Sequence, residues 1–268
     1  MVASIDAEWV RRGSRNHILS FQIVATNIAD DFAGETMWYW DGDRRSSAAL
    51  VLKILETAKV SGAFWDRPIL TIVAHNLLAE ISCLSDRNEI LRRCHLVQGK
   101  PVTLGKPIVM EGVQVHLRDT MLLAPAGARS LAAISASNRV HQKVVLDEIL
   151  SPACRDALSA APAIERMDII LQHDRCAYET YAMHDAKATL EYYASIQRAA
   201  KELFGVGGET ITISALSAKA FLAWLTSSEA SSASSEFRTS VFGTAVAQTQ
   251  GARGSPEWIE VLEWIRKI

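Results

Sequence analysis

Cysteine is scarce in these 268 residues: Cys83, Cys94, Cys154 and Cys176 are the only four. They form no C-x-x-C pair and no Cys/His zinc spacing, which argues against a disulfide scaffold or structural zinc and suits free thiols in a reducing compartment. Neither sign of charge is in excess. Lys and Arg number 28 against 30 Asp and Glu, a formal net charge of −2, and the pI is about 6.4. No global basic field marks a nucleic-acid binder, although a local basic cleft is compatible with a balanced sum. Long apolar runs are also lacking, since charge interrupts each before membrane-spanning length, and no signal-peptide pattern opens the chain. A cytoplasmic protein with no membrane partner is the expectation. What the chain does have is 49% apolar residues, enough for a sizeable core.

The apolar pattern predicts an N-terminal antiparallel meander of three strands, Val2 to Val10, Ile18 to Ala25 and Thr36 to Trp40. Helical spacing follows from Ser46 to Val60, then a buried strand from Ile69 to Ala74 and a helix running through Leu84. Another strand is expected at Val113 to Leu117, a short helix at Ala128 to Ala136, and helices from Val144 to about Lys201, broken near Pro152 and Pro162. That order predicts an α/β fold with a mixed sheet flanked by helices.

Acidic residues mark the candidate site. Asp6 and Glu8 are separated by one residue in a strand, so the period of two points both carboxylates the same way, where they could hold a hard divalent cation. Glu80 falls one turn into the helix after the buried strand, towards the sheet edge where α/β proteins place their sites. Asn76 stands at that helix's N-cap, and His75 beside it is a weaker candidate for chemistry. Tyr181 and Asp185, at i and i+4, share a helix face. Tyr178, Tyr192 and Tyr193 read as packing residues. Trp9 and Phe21 are candidates for stacking on terminal bases, and Arg11, Arg12 and Arg15 form a basic turn suited to phosphates.

Taken in order, Ile5-Asp6-Ala7-Glu8, Asn76-Leu-Leu-Ala-Glu80 and Tyr181-Ala-Met-His-Asp185 resemble the motifs of the DEDD 3′-5′ exonucleases. Tyrosine four residues before the last aspartate is similar to the subgroup found in proofreading domains of B-family DNA polymerases. Leu117-Arg-Asp-Thr-Met121 and Ser130-Leu131 also resemble that family, and Ile211-Thr-Ile-Ser-Ala-Leu216 is similar to a segment of protein-primed polymerases. The resemblance spans about residues 1 to 225 and implies a ribonuclease H-like fold. It implies two Mg²⁺ or Mn²⁺ ions held by Asp6, Glu8, Glu80 and Asp185, with Tyr181 orienting the attacking water and Asn76 touching substrate. It further implies hydrolysis of single-stranded DNA from the 3′ end to nucleoside 5′-monophosphates. His184 points to another side of the helix from Asp185 and is not the base. RNA is an alternative substrate, because the same acids serve both sugars. One position departs from the family: its second motif carries aspartate where this chain has Glu80. The extra methylene moves the carboxylate by about an ångström, and displacements of that size reduce catalysis. A weak or inactive nucleic-acid-binding or assembly module is therefore the competing expectation.

The tail differs in kind. A serine-rich stretch over 226–254 reads as a linker or loop, and 255–268 as an amphipathic helix with Trp258, Val261, Leu262 and Ile265 on one face. That helix is expected to dock back on the domain, join a second copy or enter a larger assembly. No polymerase motif is visible in these residues.

Overall fold

The computed structural model describes residues 1–13, 15–27, 32–40, 44–60, 69–97, 100–104, 106–125, 129–138, 144–159, 161–204, 212 and 216–218. The serine-rich stretch, the helix expected over 255–268 and most of 211–216 lie outside them. The chain divides into two compact units, Met1–Arg198 with Glu209–Ile213, and Ala199–Gly208 with Ser214–Ile268. Every candidate site residue belongs to the first. Among the described residues of the second are the helical segment 199–204 and a helical turn at 216–218. No helix among the described residues is long and apolar enough to cross a membrane.

The meander comprises β1 (Val2–Arg12), β2 (Arg15–Asn27) and β3 (Phe32–Tyr39). After it come α1 (Ser47–Val60), β4 (Ile69–Ala74), α2 (Leu77–Ser82) and α3 (Arg87–Arg93). β5 (Cys94–Val97) and β6 (Lys100–Leu104) form a separate two-stranded sheet, followed by β7 (Ile108–Met110) and β8 (Val113–Asp119). Then come α4 (Leu131–Asn138), α5 (Leu146–Ile149), α6 (Pro152–Leu158), α7 (Met167–His173) and the 30-residue α8 (Arg175–Phe204).

The main sheet has six strands in the order β3-β2-β1-β4-β8-β7. β1, β4 and β8 run parallel, while β2, β3 and β7 are antiparallel to their neighbours. This is a ribonuclease H-like sheet, as expected. β1 contributes to both faces. Ala3, Ile5 and Ala7 enter one core with residues of α1, α2 and β8. Val2 and Val10 belong instead to two apolar clusters on the opposite face, each including residues of α8. Between those clusters, the same face of β1 carries Ser4, Asp6 and Glu8.

Some local expectations shift. The helix expected at Ala128 to Ala136 begins at Leu131, after Ser130 has accepted a hydrogen bond from Ala133 N–H in the manner of a cap. α2 stops at Ser82 rather than Leu84. Pro152 does not break a helix but starts one, at the first turn of α6 behind the Ser151 cap.

Candidate active site

The site lies where β1 and β4 part. Their parallel ladder extends only over Val2–Ser4 and Thr71–Val73, and β4 ends at Ala74. The chain then turns through Asn76 in the left-handed conformation, φ 77°, and enters α2. Glu80 consequently faces the unpaired stretch of β1, where Ala7 N–H donates to its carboxylate. Glu80 is only 5% exposed, and its Oε2 has no hydrogen-bond partner among the described residues. Burial first, then the charges of Asp6, Glu8 and Asp119, hold its pKa well above the ordinary carboxyl value, against the opposing Ala7 bond.

Asn76 occupies the expected N-cap position but its side chain makes no capping bond and is exposed. Asp119, at the end of β8, takes over that work. Its Oδ1 accepts from Asn76 N–H at 3.1 Å and Met121 N–H at 2.9 Å, and its Oδ2 from Leu77 N–H at 3.2 Å. Burial raises its pKa and those three amides oppose the shift. The sequence signal was a buried-strand aspartate next to Thr120, which did not distinguish a cap from a ligand. His75 bonds Thr120 Oγ1 at 3.0 Å and the Arg129 carbonyl at 2.9 Å, which gives both ring nitrogens a structural task.

α8 covers the polar stretch of β1 and is pinned on either side of it. Ser4 Oγ donates to the Ala186 carbonyl at 2.7 Å. Ser20, opposite Glu8 in the β1–β2 register, shares a 2.5 Å hydrogen bond with Tyr178 OH. Asp6 lies between Ser4 and Glu8 on the strand, and Tyr181 and Asp185 lie between Tyr178 and Ala186 on the helix. The two anchors therefore bring Asp6, Glu8, Tyr181 and Asp185 to one interface. Glu8, Tyr181 and Asp185 are buried there, while Asp6 is half-buried. The charges of Glu8 and Asp6 contribute to raising the Tyr178 hydroxyl's pKa, after burial.

Four carboxylates with hard oxygen donors suit Mg²⁺ or Mn²⁺, and the unpartnered buried Glu80 Oε2 suits a cation too. Their rotamers do not converge: among the described residues, no three Asp, Glu, His or Cys side chains are grouped closely enough to hold a metal ion. Glu80 is engaged by Ala7 N–H.

Of the substrate-facing candidates, Trp9 is 37% exposed beside a β-bulge between Glu8 and Trp9. Phe21 is not available for stacking. It is wholly buried, with ring centroids 6.5 Å from Trp38 and 5.7 Å from Trp40, because its alternation places it on the core face of β2 opposite Ala7. Arg11 and Arg12 are exposed at the Gly13 turn; Arg12 bonds Asp168 at 3.3 Å, and the Arg15 side chain lies outside the description.

No family model matches the chain, and no curated protein matches it. Among solved structures, Phi29 DNA polymerase in a ternary complex with primer-template DNA and incoming nucleotide substrates is similar. The likeness covers 85% of this chain and 35% of that one, at 12% identity and a TM-score of 0.48. The chain thus spans well under two thirds of that protein's length, and the likeness adds nothing to what the sheet order and side chains already establish.

Proposed function

We propose that the protein is a metal-dependent 3′-5′ exonuclease acting on single-stranded DNA. The observation that carries the reading is the polar interruption on the α8 face of the sheet. Asp6 and Glu8 of β1 lie on that face between two apolar clusters that include α8 residues, and their charges reach Glu80 of α2. Glu80 is buried with one carboxylate oxygen lacking a hydrogen-bond partner among the described residues, which is unfavourable for packing alone and supports a functional reading of the acids around it.

In this reading Asp6, Glu8 and Asp185 hold two divalent cations, with Glu80 as a further ligand. When bound, Mg²⁺ or Mn²⁺ would acidify the attacking water and offset charge on the leaving 3′ oxygen. Tyr181, on the same helix face as Asp185, orients that water; phenols are intrinsically poor general bases and good hydrogen-bond partners. Asn76, with its side chain free of capping duty, contacts the terminal nucleotide, and Trp9 stacks on a base, a contact worth about 1–3 kcal/mol. Water's oxygen joins phosphorus as the P–O3′ bond breaks. The products are a nucleoside 5′-monophosphate and a strand one nucleotide shorter with a 3′ hydroxyl.

The test is digestion of single strands by the purified protein with Mg²⁺ or Mn²⁺, with ribo- and deoxyribo-oligomers in competition. Asp6→Ala and Asp185→Ala are each expected to lower turnover by about 10²-fold or more. Undiminished digestion by either variant would remove the proposal, and preference for the ribo-oligomer would make the enzyme an exoribonuclease. The engagement of Glu80 by Ala7 N–H favours a second reading, a nucleic-acid-binding module with weak or no turnover. Binding of strands without cleavage or cation uptake is its signature.

A further inference from the structure

We infer that Trp40 and Arg45 continue the surface of Trp9 into a second base subsite, which takes a nucleotide upstream of the 3′ terminus at the end of the sheet. The inference rests on the single-strand reading above, in either its hydrolytic or its binding-only form, and requires no cation.

The strand register sets the side chains in order. Glu8 pairs with Ser20 and Ser20 with Tyr39, and past the β-bulge Trp9 pairs with Ile18. Beyond the last pair of β3, Trp40 N–H donates to the Leu19 carbonyl at 2.8 Å. Trp9 and Trp40 therefore flank β2 in the same row, one residue past Glu8. With strands about 4.8 Å apart, their backbones are separated by about 10 Å. Both side chains belong to the face opposite the acids. Trp9 is the partner of Ile18, Trp40 follows two residues after Trp38, the partner of Phe21, and Ile18 and Phe21 lie in the core on the α1 side. Trp9 is exposed, and Trp38 and Trp40 are half-buried.

Aliphatic side chains would suffice to close the edge of a core. This edge carries indole rings instead, Trp38 and Trp40 with centroids 6.2 Å apart and Phe21 packed behind them. The Arg45 guanidinium lies 5.3 Å from the Trp38 ring and 5.8 Å from that of Trp40, and Ser85 N–H donates to the Arg45 carbonyl at 2.9 Å, tying that residue to the turn after α2. Flat π faces accept any base, and a cation seated on them meets a phosphate. Tryptophan and arginine also dominate protein interfaces. Continuity with Glu8, along β1 and then across β2, favours a strand whose end is held at the acids.

The full chain carrying Trp40→Leu is compared with Trp40→Phe and Arg45→Gln in EDTA, where binding is separate from hydrolysis. Affinity is read by fluorescence anisotropy with single-stranded oligodeoxynucleotides of about four and about twelve nucleotides, and stacking by a fluorescent adenine analogue placed either at the 3′ terminus or upstream of it. Trp40→Leu is expected to weaken binding of the longer strand by about 5–150-fold, the equivalent of one lost base stack. The upstream analogue should lose its quenching while the terminal one keeps it, and Trp40→Phe should retain most of the affinity. Arg45→Gln should lower the slope of log affinity against log salt by about one. Unchanged affinity for the longer strand in both Trp40→Leu and Arg45→Gln would assign the row to packing or to a protein partner and overturn the inference alone. Equal loss of upstream and terminal quenching would show a distorted sheet and overturn it too. If Trp40→Leu does not fold, the salt slope of Arg45→Gln decides. Failure of the unmodified protein to bind any strand would defeat the single-strand reading, and this inference with it.

Discussion

At the scale of single residues, Glu80 decides most. Burial and the neighbouring acids raise its pKa above the ordinary 4.5, so the folded protein retains a proton that the unfolded chain releases. Stability then falls as pH rises from about 4.5 through the raised folded value, because the native state binds more protons than the unfolded one. Glu80→Gln removes that titration. In EDTA it should unfold at a higher temperature than the wild type at pH 8, with the difference shrinking towards pH 4.5. A melting temperature that is insensitive to the substitution at both pH values would contradict the assignment. Glu80→Asp tests the other consequence of its length: one methylene shorter, the carboxylate no longer reaches Ala7 N–H and is released towards Asp6. Turnover on single strands should rise; a fall would show that the longer side chain is tuned for this site. The acids themselves were legible in the sequence because period-two and period-four spacings report a shared face directly. Asp119's capping task was not, because what makes it informative is its partners: backbone amides 42 and 43 positions away.

At the scale of elements, the site depends on two local devices. Asp119 ties the end of β8 to the start of α2, and α2 delivers Glu80. Asp119→Ala leaves amides of Asn76, Leu77 and Met121 without their acceptor, which should destabilise the protein by about 1–3 kcal/mol. Denaturant titration measures the loss, and Asp119→Asn, which keeps one oxygen acceptor, should recover part of it. Ser4 and Ser20 do the corresponding task for α8. The strands of the meander, β4, β8 and the helices α1 and α8 were readable because each has enough residues to display its period. β5, β6 and β7 have four, five and three residues, too few for alternation to stand out from chance, and α3 has seven. The helix that begins at Leu131 rather than Ala128 shows the usual weakness of boundaries: a cap at Ser130 outranks the apolar pattern that precedes it.

At the scale of the whole molecule, the sheet order places the strand with the first two acids at the centre, so the two apolar layers that stabilise the fold cannot close over it completely. Fold and candidate site are thus in opposition. In the metal-dependent reading, a cation held by these acids would offset the cost of keeping a polar stretch there. Linkage turns this into a measurement. A cation bound only by the folded state stabilises it by about 2.7 kcal/mol at a hundred times its Kd. For a unit of roughly 200 residues this is a rise of about 5–11 °C in melting temperature. Mn²⁺ or Mg²⁺ should produce it, and the rise should be greater at pH 8 than at pH 5, since protons and cations compete for the same carboxylates. Asp6→Ala should abolish most of the rise while losing little stability in EDTA. Equal melting temperatures with and without the ions, in a protein that still binds single strands, would identify the polar layer as part of a binding module and remove the case for hydrolysis.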